Sequence, residues 1–474
     1  LKPLDSPQVP PRAAPAIPSR SERAGMADAA SSRVAGTILP APTLANGGFP
    51  PHLKVIRQLG SGSYGSVHLC EDTRTGNQVA VKHVKKAPSH GKSMLREIKL
   101  LARLRHDNLL CLLDLPAVPS RDFEDIFLVL PYMPADLHKV IHSKSQSLSD
   151  KHVQVIITQI LRALEHLHAA GVAHRDLKPA NVLISHDCKV KICDFGLARG
   201  DMQLDAEADE PDQVQGVLTE YVVTRWYRAP EVMLLPKQYT SAVDVWSVGC
   251  ILGEILLRKA MFQGKNHVDM VCKFAETLGT PSENELEWLP QDTDAYRFVK
   301  KVCPPSKGMS LAALFPGSSS ACRDLLTGLL RWHPGQRLTA AQAQEHDYLR
   351  AYRPKEPPVP PEPFDWAFDG FKPTAENVRE RLYRECARYH PEILERDRVG
   401  AAAVPAASAA GPPNRPPAAA DPARQQQSRS AALPSMMPPR LISSLGGVLG
   451  VKGRSAGAAG GSGTSSLIRG VGGQ

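Results

Sequence analysis

Two short stretches hold residue types whose spacing could support chemistry. His174-Arg-Asp176-Leu-Lys178-Pro-Ala-Asn181 is followed, 13 residues after Asn181, by Asp194-Phe-Gly196. Transfer of a phosphoryl group is mainly positioning plus neutralisation of charge. It needs carboxylate and amide oxygens for Mg²⁺, which Asn181 and Asp194 supply. It needs a carboxylate beside the acceptor hydroxyl, which Asp176 supplies, and a cation on the γ-phosphate, which Lys178 supplies. This combination at this spacing has little chance of arising at random.

Two further stretches are weaker alone. Gly60-Ser61-Gly62-Ser63-Tyr64-Gly65-Ser-Val67 could bring backbone close to phosphates, since glycine accepts φ > 0. A dinucleotide fingerprint would run from a strand into a helix; here a strand follows, which fits a phosphate-covering hairpin. Val79-Ala80-Val-Lys82 places a lysine on a strand, and Glu97 lies 15 residues on, in a helical pattern. Taken singly, these are equally a surface lysine and a solvated helix acid.

These residues need a frame. Residues 53–59, 66–70 and 78–82 read as strands, with turns at the glycines and at 73–77. Apolar residues at 94, 95, 98, 101 and 104 predict a helix over 93–104, and 126–130 reads as a fifth strand stopped by Pro131. Helical patterns then dominate: 150–170, 240–258, 267–278, 321–331 and 339–345. The fold class is therefore α+β and bilobal, with a small, mostly β lobe over 53–131 and a larger, mostly α lobe over 132–349. The functional cleft is expected between them.

The ends differ in composition. Residues 1–50 and 398–474 are rich in Pro, Ala, Ser and Gly and read as unstructured tails. The chain begins with Leu and its first Met is Met26, so residues 1–25 are read as outside the native start. The net charge of +9 hints at nucleic acid, but +6 lies in 401–474 and +2 in 1–50, leaving +1 for the body. No direct nucleic-acid contact is expected. Nine cysteines without a C-x-x-C fit reduced thiols. No apolar run reaches about 18 residues, so no membrane insertion is expected; Val245–Leu257 reads as a buried helix. His166, His168 and His174 read as structural, and no bound zinc is expected.

Over residues 53–349 the chain resembles the eukaryotic protein kinases, and the resemblance extends to Ala229-Pro-Glu231, Asp244-Val-Trp-Ser-Val-Gly249 and Arg337. It implies a catalytic set of Asp176, Lys178, Lys82 and Glu97, and an internal Glu231–Arg337 brace. ATP would lie against Gly60, Ser61, Gly62, Ser63, Tyr64, Gly65, Val67, Ala80, Lys82, Leu130, Pro131, Met133 and Leu183. Leu130 resembles the gatekeeper behind adenine, and Pro131 and Met133 the hinge.

Thr219-Glu-Tyr221 before Val222-Val-Thr-Arg-Trp-Tyr-Arg228 resembles the extracellular-signal-regulated class of mitogen-activated protein (MAP) kinases. The resemblance implies activation by phosphorylation of Thr219 and Tyr221. Phospho-Thr219 would gather Arg96, Arg175 and Arg199, and phospho-Tyr221 would meet Arg225 and Arg228. Implied partners are an upstream dual-specificity MAP kinase kinase, protein substrates with Ser/Thr-Pro sites, and phosphatases. A monomer in cytoplasm and nucleus is implied as well. Residues 264–317 resemble the family insert. Residues 350–397 resemble an extension packed on the kinase, with Phe364, Phe368 and Phe371 as anchors.

Several features depart from the pattern. The loop 200–217 is long and acidic. Arg353 and Lys355 stand where an acidic docking cluster is usual, with Asp187 a substitute acid nearby. The aromatic-motif pocket is matched by Met233, Leu234, Val268, Val271 and Tyr296, with His267 in place of a tyrosine. A scaffold without catalysis would lack Lys82, Asp176 or Asp194, and none is missing. A cyclin-dependent kinase would carry a lone threonine in the loop.

Overall fold

The computed structural model describes residues 48–62, 64–200, 225–235, 240–301, 305–353, 356 and 358–402. Ser63, Thr219, Tyr221, Lys355 and most of both expected tails lie outside the described residues.

The small lobe is an antiparallel sheet in the order β1 (Leu53–Gly62), β2 (Gly65–Asp72), β3 (Asn77–Val84) and β4 (Ile126–Pro131). Side chains alternate between faces along a strand, so register decides what meets what. Ala80 stands opposite Leu69 and Leu130, and Lys82 opposite Val67 and Leu128. Val67, Ala80, Lys82 and Leu130 therefore share one face. Val79, Val81, Phe127 and Val129 form the opposite face. Gly65 could be no other residue: its φ is +148° and a Cβ there would lie 2.0 Å from the His83 carbonyl oxygen.

The segment 126–131 is the fourth strand, not the fifth. Just before it the chain meets this sheet only through a bridge between Asp114 and Val129, and Pro116, which has no backbone donor, follows two residues later. Helix α1 spans Gly91–Arg103, two residues earlier than read, and the Leu104 amide closes it on Leu100.

The large lobe begins with β5 (Ala135–Asp136), α2 (Leu137–His142) and α3 (Asp150–Ala169). Ser149 caps α3 in a capping box with His152. Strands β6 (Val172–Ala173), β7 (Val182–Ile184), β8 (Val190–Ile192) and β9 (Arg199–Gly200) pair as β5-β7-β8 and β6-β9. Helices α4 (Pro230–Leu234), α5 (Ala242–Leu257), α6 (His267–Leu278), α7 (Asp294–Lys301), α8 (Leu311–Leu314), α9 (Ser320–Leu329) and α10 (Ala340–Gln344) follow. Helix α5 is apolar nearly all round, and all its residues from Val243 to Ile255 are buried.

The last helices are α11 (Ala375–Tyr389) and α12 (Glu392–Ala402). The extension returns to the small lobe, where α11 packs on α1. Phe364 stacks edge-on with Trp366 at 5.0 Å, and Lys99 lies 4.9 Å over the Phe368 ring. Both tail boundaries differ from the sequence reading. Phe49 is buried against Phe127 and His68, each at 5.0 Å, because one sheet face needs an apolar cover. Helix α12 continues past 398 on the Glu395–Arg398 pair and two alanines.

Glu231 and Arg337 pair as a buried fork at 2.7 and 3.1 Å, with the guanidinium also donating to the Ala242 carbonyl at 2.7 Å. Removing one partner strands the other charge. Glu231→Gln is expected to cost about 3–5 kcal/mol of stability, read as a lower urea midpoint at pH 7.

Candidate active site

The register of β3 aims Lys82 at α1, where its Nζ meets Glu97 Oε1 at 2.6 Å. Burial works against a charged lysine here, but the Glu97 and Asp194 carboxylates outweigh it and hold the Lys82 pKa above its ordinary value. Three consecutive polar contacts tie α1 down. Glu97 takes Lys82, Arg96 takes both oxygens of Asp369 at 2.6–3.0 Å, and Lys99 takes Glu385 at 2.5 Å. The last two partners lie in the extension.

Across the cleft, Lys178 Nζ contacts Asp176 Oδ2 at 2.9 Å. The Asn181 amide nitrogen donates to Asp176 O at 2.8 Å and Oδ2 at 3.1 Å. Burial raises the Asp176 pKa, with Lys178 opposing and the Asp194 charge adding to the rise. His174 ties this loop to the next strand. Its Nε2 donates to the Cys193 carbonyl at 3.0 Å, leaving Nδ1 to accept from the Asp176 amide at 3.3 Å. Phe195 is buried edge-on to His174 at 5.4 Å. Asp194 itself is exposed, with φ +68°.

The loop holding Asp176 needs outside support, since Arg175 sits at φ +70°. Asp244, buried on α5, supplies it. Its Oδ2 accepts from the His174 amide at 2.8 Å and from His168 Nε2 at 2.9 Å, and its Oδ1 from the Arg175 amide at 2.8 Å. Burial alone would raise the Asp244 pKa; the donors from His168, His174 and Arg175 carry it below the ordinary value. Neither this task for Asp244 nor the partner of His168 is visible in the local sequence.

The fold brings most other implied residues to the same region. Gly60, Ser61, Gly62 and Gly65 form the β1–β2 turn, and Tyr64 packs on His90 at 4.8 Å with Lys82 Nζ 6.0 Å from its ring. Pro131 ends β4 and Met133 follows it, while Leu183 lies on β7. Pairing of β6 with β9 sets Arg199 opposite Ala173, two residues before Arg175. Arg96 is engaged differently from the implied phosphate clamp: it is bound to Asp369. Arg225 donates to the Lys265 carbonyl at 2.5 Å, and the Arg228 amide closes the turn on Arg225. On the docking face, Arg353 pairs with Glu345 at 3.1 Å and Asp187 with Lys189 at 3.2 Å. Asp187 is thus partly neutralised as a substitute acid. Met233, Leu234 and Val271 are buried, and Val268 is exposed.

The Lys82–Glu97 pair on one side of a cleft, facing the Lys178–Asp176 pair and the exposed Asp194 on the other, above a loop held by a buried aspartate, defines a phosphoryl-transfer centre. The protein kinase domain model matches residues 53–349. The chain is 40% identical over 348 residues to extracellular signal-regulated kinase 1 of Dictyostelium discoideum, covering 72% of this chain and 64% of that one. It is 39% identical over 342 residues to mitogen-activated protein kinase 4 of Arabidopsis thaliana, covering 71% and 87%. For mitogen-activated protein kinase 3 of the same plant the values are 40% over 341 residues, 71% and 88%. The chain belongs to the protein kinases, whose phosphoryl donor is ATP. Within them it is a mitogen-activated protein kinase, a serine/threonine kinase of a signalling cascade.

Because the folded Asp244 pKa lies below the ordinary 3.8, its stabilisation is complete above that value and fades as pH falls through the folded value. Asp244→Asn is expected to lose at least about 2 kcal/mol at pH 7. In urea titrations followed by tryptophan fluorescence, the gap to the unsubstituted protein should begin to narrow only below pH 3.8, as pH falls through the folded Asp244 pKa.

Proposed function

We propose that this kinase transfers the γ-phosphoryl group of Mg-ATP to Ser or Thr hydroxyls preceding proline, and is switched on by phosphorylation of Thr219 and Tyr221. The observation that carries the reading is the hydrogen-bonded set Lys178–Asp176–Asn181 facing Lys82–Glu97 and Asp194.

Asn181 and Asp194 offer hard oxygen ligands, which fit Mg²⁺. The Asn181 nitrogen is spent on Asp176, which leaves the amide oxygen for the ion. When bound, Mg²⁺ neutralises phosphate charge. Lys82, fixed by Glu97, binds phosphate oxygens. Lys178 steadies the transferred group, and Asp176 orients the acceptor hydroxyl and accepts its proton. The turn at 60–65 covers the nucleotide, whose base lies against Val67, Ala80, Leu130 and Leu183, with Pro131 and Met133 as hinge contacts.

Activation follows from charge. A phosphate at Thr219 gathers Arg175 and Arg199, and to reach Arg96 it must displace Asp369. Phospho-Tyr221 meets Arg225 and Arg228. An upstream dual-specificity kinase and opposing phosphatases set the balance. We further propose a monomer in cytoplasm and nucleus, with no direct nucleic-acid contact and terminal segments that are not needed for turnover.

Turnover of a Ser/Thr-Pro peptide with radiolabelled ATP tests this. Double phosphorylation, verified by mass spectrometry, should raise the rate strongly. Asp176→Ala should then lower kcat by roughly 10²–10⁴ with the fold intact by circular dichroism. Unchanged turnover in that variant overturns the assignment of Asp176.

A further inference from the structure

Away from the catalytic cleft, α2 and α5 bring three ligating side chains together. His138 and His142 are one helical turn apart on α2 and both exposed. Glu254 rises from α5 beneath them and is 1% exposed. One ligand atom of each lies within 4.8 Å of the other two. Among the described residues this is the one set of three such donors.

The details favour a ligand set over a chance neighbourhood. The Glu254 carboxyl is buried, and burial raises its pKa against the Tyr227 hydrogen bond and His142; a buried carboxylate is paired, holds a metal or takes up a proton. Among the described residues no lysine or arginine pairs with it. Lys139, between the histidines, is turned to Asp136 at 2.8 Å, and Arg258, one turn beyond Glu254, is spent on the Ser143 and Gln146 carbonyls. Oε2 accepts from the Tyr227 hydroxyl at 2.6 Å, which fixes the carboxylate and leaves Oε1 towards the histidines. Among the described residues, the basic side-chain atom within reach of Oε1 is His142 Nε2 at 3.8 Å, too far for a hydrogen bond. His142 Nδ1 donates to the His138 carbonyl at 3.0 Å. That bond sets the tautomer so that the Nε2 lone pair points away from the helix. Metal-bound histidines are held by the same kind of bond on the distal nitrogen.

We propose that His138, His142 and Glu254 bind a divalent cation of the zinc class, which staples α2 to α5. Two imidazoles and a carboxylate, with an open fourth position, suit zinc over magnesium or calcium, which prefer all-oxygen shells. The two imidazoles lie with ring centroids 4.3 Å apart at 32°, so closing the set around an ion requires them to turn until tetrahedral donors at about 2.0–2.1 Å stand roughly 3.3 Å apart. This pair lies apart from His166, His168 and His174. Its i, i+4 spacing was visible, but the third ligand is 112 residues on from His142.

The effect would not be confined to the two helices. Tyr227 is held by Glu254, and its carbonyl accepts from Ser247 Oγ at 2.9 Å. The ion would therefore also steady the Arg225–Ala229 segment that leads into α4.

The test uses the full chain, stripped with a chelator and titrated with Co²⁺ as a spectroscopic probe and Zn²⁺ as competitor. One equivalent of Co²⁺ should produce visible bands of a four- or five-coordinate site, displaced by Zn²⁺, with a rise in thermal midpoint. His142→Ala and His138→Ala change exposed residues and should fold normally. Each should weaken Zn²⁺ binding by more than about 100-fold, since loss of a direct ligand costs more than loss of its supporting partner. Glu254→Gln, which keeps an acceptor for Tyr227, should do the same. Absence of stoichiometric binding overturns the proposal and leaves an ordinary His–Glu contact. Binding undiminished in both histidine variants also overturns it, because the metal then sits on other side chains.

Discussion

The catalytic loop hangs on a single buried carboxylate. Asp244 receives three donors, two of them backbone amides of a loop whose middle residue holds a left-handed φ. A loop of that shape does not persist by its own propensity. The carboxylate stays charged inside the lobe because its oxygens are met by donors, and those donors are thereby fixed in space. The positions of Asp176, Lys178 and Asn181 follow from that anchor. Helix α5 can carry it because nearly all its other residues are apolar and locked in the core. The lobe's largest helix, α3, contributes His168 to the same point.

A second constraint acts on the small lobe. Lys82 is brought to the cleft by strand register, but Glu97 must come from a helix that touches the sheet along one side only. Its other side is held by the extension, through Asp369, Glu385 and the Phe364–Phe371 aromatics. The ion pair at the cleft thus depends on residues more than 270 positions away.

Local patterns made the chemistry legible early. The spacing of Asp176, Lys178, Asn181 and Asp194, the alternation along 78–82 and the apolar period of α1 all sit within short windows. The fork of Glu231 and Arg337, 106 residues apart, was reached only through resemblance. What stayed hidden was long-range pairing. Nothing near Arg96 announces Asp369, and nothing near Lys99 announces Glu385. Asp244 stood in a known motif, yet its three donors come from elements about 70 residues upstream. Propensity also misjudged the edges. Phe49 sits in a Pro/Ala/Ser-rich stretch and is buried because a sheet face needed covering. Helix α12 persists because alanines that signal low complexity are also the best helix formers.

The contact between Arg96 and Asp369 gives the proposed switch a built-in competitor. The guanidinium already has a bidentate carboxylate partner, Asp369. A phosphate arriving at Thr219 carries about −1.5 to −2 charges and three acceptor oxygens, and so can outbid it. An aspartate or glutamate in that position would bring one charge, no more than the incumbent, and would have no advantage in the exchange. The proposed device would thereby discriminate by valence, favouring a dianion over a monoanion, so that a simple acid in place of the modified residue would be a poor imitation.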